Sequence, residues 1–193
     1  GVDLIYNGVE PPVRSTATDY LAGLGLEPHR YVIALARFVP EKRLDLLVEA
    51  FGRAATRGYR LVLAGDADHE DEYSRRLKAQ ATQAGVVLTG FVRGEQLNQL
   101  MTNAALFVLP STHEGLPIAL LEAMSYGLDV LVSDIAANRL PQLHDGDFFA
   151  VDDVNALVAG IDHKLALPSL NRHYDLGDYD WDNIARQTLA AYQ

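Results

Sequence analysis

Glu114 and Glu122 stand with seven residues between them in the stretch Pro110-Ser-Thr-His-Glu-Gly-Leu-Pro-Ile-Ala-Leu-Leu-Glu-Ala-Met-Ser-Tyr-Gly127. Paired carboxylates are first of all candidates for general acid and base work. A Gly-Leu-Pro helix start separates them, and over 117–124 the pattern is apolar except for Glu122. That pattern predicts a buried helix carrying one acid. An ionised carboxylate in such surroundings is expensive unless a structural arginine or a ligand pairs with it. Glu114 has a plainer alternative in capping the helix. Pro117 suits the first helical position, which leaves the amides of Gly115, Leu116 and Ile118 near the opening. With the helix dipole these amides make an anion site, and Gly115 lets a ligand come close to the backbone.

Arg37 and Lys42 are the second pair. Arg37 follows the apolar run 31–36, and Lys42, after Pro40, is expected in the first turn of the next helix together with Arg43. Cations there oppose the helix dipole. They are either a solvated surface pair matched to Glu41 or Asp45, or a phosphate clamp. In a clamp, Arg supplies a planar fork and Lys a point charge. The run Asp66, Asp68, His69, Glu70, Asp71, Glu72 fits the spacing of neither a calcium loop nor a zinc motif. It reads as a solvated face or the acidic start of a helix. His113 reads as a solvated loop histidine within reach of a ligand.

The elements that must position these residues alternate along the chain. Strands are expected at 31–36, 60–64, 86–89, 105–109 and 130–133. Helices are expected at 41–57, 70–84, 95–103, 117–126, 136–143, 153–166 and 180–192, with one or two helical turns inside a connector at 10–30. Such alternation predicts an α/β fold with a parallel sheet, right-handed crossovers and helices on both faces. Ligands then bind at the carboxyl ends of the strands. That edge is where Arg37, Lys42 and Glu114 fall.

Composition bounds the rest. A chain of 193 residues, 49% apolar, can build one sizeable domain or a small two-lobed one. No apolar run approaches the roughly 18–20 residues of a membrane helix, and no signal peptide is visible. The sequence has no cysteine, which excludes disulfides and thiolate metal sites and suits a reducing cytoplasm. A net charge of -10 argues against a general nucleic-acid binder. Gly23-Leu-Gly25 lacks the third glycine of a dinucleotide-binding turn. The opening 2–9, a strand run into an Asn-Gly turn without an initiator methionine, suggests a cut at a domain boundary.

The stretch 110–127 resembles the signature region of the GT-B retaining glycosyltransferases of family 4, with its Glu-(seven residues)-Glu motif. Ala34-Leu-Ala-Arg37-Phe-Val-Pro-Glu-Lys42 is similar to the strand, Arg, turn and Lys of that family. Leu61-Val-Leu-Ala-Gly65-Asp66, Leu88-Thr-Gly-Phe-Val92, Val132-Ser-Asp134 and the Trp181 segment also match, in the family's order, from about residue 3 to 193. Three positions depart from the family pattern: Ala67 for a second glycine, Asp129 for a proline, and His113 for an aromatic.

The resemblance implies a Rossmann-like fold and one lobe of a two-lobed enzyme. Residues 1–193 would be the C-terminal, donor-binding domain, with 180–192 a helix reaching towards an N-terminal acceptor lobe. It also implies roles for single residues. Arg37 and Lys42 would hold the donor diphosphate, Glu122 the ribose hydroxyls, and Glu114 would lie by the sugar, which places Glu114, Arg37 and Lys42 at the chemistry. Gly115, Leu116, Pro117 and Ile118 would contact sugar and phosphate oxygens, and Phe91 and Val92 would border the base. The implied activity moves a sugar from a nucleotide diphosphate, UDP favoured, to an acceptor hydroxyl, in polysaccharide or glycolipid assembly. No metal or other cofactor is expected. The setting would be cytoplasmic, peripheral at the inner membrane face through a lipid-linked acceptor, and the chain alone would not turn over. Alternatives are a regulatory nucleotide-sugar-binding domain and a lobe of a GT-B-like epimerase. A phosphorylase lobe would need a pyridoxal lysine, for which no candidate setting is seen.

Overall fold

Tyr31 and Ile33 point to one side of their strand and Val32 and Ala34 to the other, because side chains alternate along an extended chain. All four are buried, so this strand needs cover on both faces. The computed structural model, which describes residues 9–167 and 171–180, shows that cover.

Six strands form one sheet: β1 (Tyr31–Leu35), β2 (Arg60–Ala64), β3 (Val87–Gly90), β4 (Leu106–Leu109), β5 (Val130–Ser133) and β6 (Phe148–Phe149). All pairings are parallel, in the order β3-β2-β1-β4-β5-β6. Around them lie α1 (Asp19–Gly23), α2 (Leu44–Arg53), α3 (Glu72–Gln83), α4 (Gly94–Asn103), α5 (Ile118–Ser125) and α6 (Val154–Ala166). On one face Tyr31, Ile33, Phe107 and Leu109 pack with Leu21 of α1, Met101 of α4 and Leu120 of α5. On the other, Val32, Leu106 and Val108 pack with Leu47 of α2, Leu77 of α3 and Ile161 of α6. Each such fully buried side chain stabilises the fold by roughly 1.5–3 kcal/mol before entropy is counted.

The direction of winding reverses between β1 and β4, which lie side by side with Val32 opposite Leu106. A doubly wound sheet opens a crevice at this switch point, beyond the carboxyl ends of its strands. The architecture is the Rossmann-like one that was expected.

Three elements differ from the sequence-based reading. Only a single tight turn, Ala136–Asn138, forms where a helix was expected at 136–143. Pro141 lacks an amide hydrogen and disfavours helical geometry at the residue before it, which ends the pattern. The helix expected at 41–57 starts at Leu44 and stops at Arg53. The two-residue strand β6 was not foreseen; its run is too short to show a period. The helix expected at 180–192, with Trp181, and the opening strand lie outside the described residues, save Asp180 and Val9, which pair in a parallel bridge.

Candidate functional site

The chain leaving β1 is tied to the chain leaving β2. The Ala36 amide donates to the Ala64 carbonyl at 3.1 Å, and the Phe38 amide to the Asp66 carbonyl at 2.9 Å. Gly65 lies between them at φ 134°, and a Cβ there would stand 2.0 Å from the Ala36 carbonyl oxygen. Only glycine fits. This junction presents Arg37 at the edge of the sheet, where its Nη1 meets Asp68 Oδ2 at 3.1 Å with both side chains more than half exposed.

Lys42 does not belong to the first turn of α2, as expected, but to a separate tight turn, Pro40–Lys42. Pro40 presets the backbone for that turn, and Arg43, in the left-handed region at φ 47°, breaks it from α2. Arg43 turns aside to Asp45, at 3.4 Å, and to Asp152, so it takes the surface-pair role.

The loop after β4 is stapled to this turn, the Thr112 amide donating to the Glu41 carbonyl at 2.9 Å. Lys42 and Glu114 therefore meet across the switch point, Nζ donating to Oε1 at 2.6 Å. The Ser111 hydroxyl donates to the same oxygen at 2.6 Å. Both partners are largely withdrawn from solvent, with side chains 18% and 8% exposed. Glu114 does not cap the following helix: the residue ahead of α5 is Pro117, and no side chain caps it. Pro117 thus stands one place before the first helical position, a correction of one residue. The Ile118 amide, expected to be free, donates to the Leu116 carbonyl at 2.9 Å. Gly115 faces open space, since a Cβ there would meet nothing within 4 Å.

Glu122 is only partly buried, because the side of α5 that carries Ile118, Ala119 and Glu122 is only partly covered by the fold. No ion pair reaches Glu122 among the described residues. None of the described arginines takes the structural role weighed from the sequence. Burial first, and the nearby Glu10 second, push its carboxyl group above the usual range. It lines a cleft of about 490 Å³ with Glu10, Val13, Asn98, Ile118 and Tyr126. Neither Phe91 nor Val92 lines that cleft. Phe91 is 55% exposed beyond β3, whereas the Val92 side chain is buried in the core, so only its backbone can border a ligand. A more apolar cleft of about 330 Å³, bordered by Val9, Met124, Tyr174 and Tyr179, holds none of the candidate residues.

Among the described residues the structure thus joins Lys42 to Glu114, leaves Arg37 with Asp68, and gives Glu122 no ion-pair partner. In the acidic run, Asp66 meets Lys78 at 2.8 Å, and Asp71 caps α3 by accepting the Ser74 amide at 2.7 Å. Sequence reasoning passed over Ser111, Ser133 and Asn138, all fully buried behind Glu114. The available signal was a polar residue closing an apolar strand, as Ser133 does.

Residues 22–179 match the sequence profile of a family described as glycosyl transferases group 1. The chain belongs to that family. An uncharacterised glycosyltransferase of Methanocaldococcus jannaschii is 26% identical, aligning over 100% of the chain and 54% of its own length. A GDP-mannose:cellobiosyl-diphosphopolyprenol alpha-mannosyltransferase of Komagataeibacter xylinus is 32% identical, over 86% of the chain and 46% of its own length. Among solved structures, the Anabaena HepE protein in complex with UDP and glucose superposes with a TM-score of 0.80 at 20% identity, covering 98% of the chain and 56% of that protein. This group 1 glycosyltransferase chain therefore has the GT-B type of Rossmann-like fold, and it spans about half the length of the curated relatives it matches. Among the described residues no helix is long and apolar enough to cross a membrane.

Proposed function

We propose that the chain is the donor-binding lobe of a retaining glycosyltransferase, taking a nucleotide-diphospho-sugar and passing the sugar to an acceptor hydroxyl. The observation that carries this reading is the Lys42–Glu114 pair at the switch point of the sheet. A cation and an acid face each other where a ligand must enter. Both UDP and GDP fit the relatives: HepE is solved with UDP and glucose, and the mannosyltransferase is named for GDP-mannose. The UDP preference drawn from the family resemblance therefore has a GDP rival.

In this reading the donor diphosphate joins Glu114 as a partner of Lys42, and Arg37 leaves its exposed bond with Asp68 to meet it. An exposed pair of that kind is worth about 0–1 kcal/mol, so little opposes the exchange. The start of α5 adds its dipole. Together these groups stabilise the charge that develops on the departing diphosphate, and no metal is called for. Glu114, still beside Lys42, contacts the sugar, while Glu122 accepts from the ribose hydroxyls in its cleft. Phe91 and the backbone of Val92 border the base. The acceptor is held by a second lobe, so the chain alone binds nucleotide without turnover. The setting is cytoplasmic assembly of a polysaccharide or glycolipid, touching the membrane only through a lipid-linked acceptor.

Calorimetric titration of UDP, GDP and ADP into the chain tests the reading. Binding of UDP or GDP that weakens when both Arg37 and Lys42 are replaced by Ala supports it. Binding of none of the three at millimolar concentration overturns it.

A further inference from the structure

Three polar side chains without exposed surface stand behind Glu114: Ser111, Ser133 and Asn138. Asn138 closes the tight turn after β5. Its Nδ2 donates to the carbonyl oxygen of Ser133 at 2.9 Å and to the hydroxyl oxygen at 3.2 Å. A serine hydroxyl has one hydrogen to give. That of Ser133 goes to the Ser111 carbonyl at 2.5 Å, pinning the backbone there. The Ser111 hydroxyl then gives its own to Glu114 Oε1. The donors run in one direction, from the turn after β5 to the acid beside Lys42.

The orientation of Asn138 is fixed by its partners. Turning the amide over would set its oxygen against the Ser133 carbonyl, two acceptors face to face. In the orientation seen, Asn138 Oδ1 is buried with no hydrogen-bond partner among the described residues. A buried, unpaired carbonyl is costly, and an apolar residue filling the same space would not incur that cost. Packing alone does not account for it.

A second observation gives the direction a purpose. Lys42 and Ser111 both hold Oε1 of Glu114. The other oxygen, Oε2, takes no partner among the described residues. The two oxygens are equivalent, so what the contacts at one of them fix is the plane and direction of the carboxylate, and with it where the other oxygen points.

We propose that Asn138, Ser133 and Ser111 are positioning residues for Glu114, holding its Oε1 beside Lys42 and reserving Oε2 for a hydroxyl of the bound sugar. The sugar part rests on the donor reading above. None of the three touches the ligand; they act through Glu114. A purely structural role, sewing the ends of β4 and β5 together, would affect folding and treat all ligands alike.

The test compares Ser133→Ala and Ser133→Thr with the wild-type 193-residue chain. Calorimetry measures UDP and GDP against UDP-glucose and GDP-mannose, which carry a sugar. With a misplaced acceptor for one sugar hydroxyl, Ser133→Ala loses roughly tenfold in affinity for the sugar nucleotide, and its affinity for the matching nucleotide is unchanged. Ser133→Thr, which keeps the hydroxyl, restores the difference. Equal weakening of both ligands, or no change in either, overturns the proposal. NMR gives a reading that needs no ligand. The Ser111 hydroxyl proton is expected to exchange slowly and to show contacts to Glu114 in the wild type and in Ser133→Thr, and to be lost in Ser133→Ala. Its persistence in a folded Ser133→Ala chain overturns the positioning role. Where the wild type binds no nucleotide, the donor reading and the sugar role of Oε2 fall, and the hydroxyl proton alone decides whether Glu114 is positioned.

Discussion

At the amino ends of β5 and β6, Asp129 and Asp147 meet Lys164 and Arg172; at the carboxyl ends of β1 and β4, Lys42 meets Glu114. The residue types are alike and the arrangements are opposite. In the first group Lys164 Nζ lies 2.8 Å from both acids, and Arg172 Nη1 lies 3.0 Å from Asp129 and 2.6 Å from Asp147. The second Asp147 oxygen accepts from Arg172 Nη2 and the His144 amide, each at 3.0 Å. Two acids and two bases leave no formal charge over. Arg172 also stacks on Tyr174, 4.7 Å from the ring centre. This network is balanced in charge, each cation meeting both acids. At the other end, among the described residues, Glu122 meets no cation and Arg37 holds only an exposed partner. That group is open, and an open set of charges at a sheet's ligand edge is what a bound anion completes.

The sharpest break of this contrast is Asp147→Ala. It leaves two withdrawn cations to share the one remaining acid, Asp129, and losing one partner of a buried pair costs about 3–5 kcal/mol. Chemical denaturation should show a loss of that order, while the surviving folded chain keeps its nucleotide affinity. Lys42→Ala should do the reverse. It should weaken UDP or GDP binding by roughly 10- to 100-fold, the range of a hydrogen bond to a charged group. In denaturation it should cost less than Asp147→Ala.

Acid and base separate the two ends by sign. Burial pushes the Asp147 carboxyl up, but hydrogen bonds from Arg172 and Lys164 outweigh it, and the group sits below the usual aspartate range. Its contribution is present above the unfolded value and is lost as pH falls through the lowered one. Glu122 lies above the usual range. The unfolded chain therefore gives up that proton first, and stability falls as pH rises from the unfolded value of about 4.5 through the raised one. Stability curves of Glu122→Gln and wild type should coincide in acid and diverge, the variant being the more stable, towards neutral pH. Smallest of all is Asp68→Asn. Its exposed pair with Arg37 is worth about 0–1 kcal/mol. Denaturation should barely register the change, and UDP or GDP affinity should stay level or rise as Arg37 is released.

Much of this was legible in the sequence because the physics is local. The runs 60–64 and 130–133, apolar save for Arg60 and Ser133, matched their strands to the residue, since a strand buried on both faces reads as a nearly continuous apolar stretch. Arg37, Lys42 and Glu114 could be placed at one edge from the order of elements alone. Their partners could not. Whether Lys42 meets Glu114 rather than Glu41 or Asp45 depends on the left-handed Arg43 and on the Thr112 staple, which joins segments far apart in the chain. The chain Asn138–Ser133–Ser111 escaped for the same reason. Asp129, a departure from the family's proline, looked incidental in sequence; folding brings it to Lys164 and Arg172.

The most direct test of the contrast is to map backbone and Lys side-chain NMR shifts of the chain as UDP, and separately GDP, is added. The account predicts changes at Arg37, Lys42, Ser111, Glu114, Ile118 and Glu122 with one of the two, including the Lys42 ammonium, and none at Asp129, Asp147, Lys164 or Arg172. Shifts confined to the second group, or saturating binding that leaves Lys42 unmoved, would contradict it.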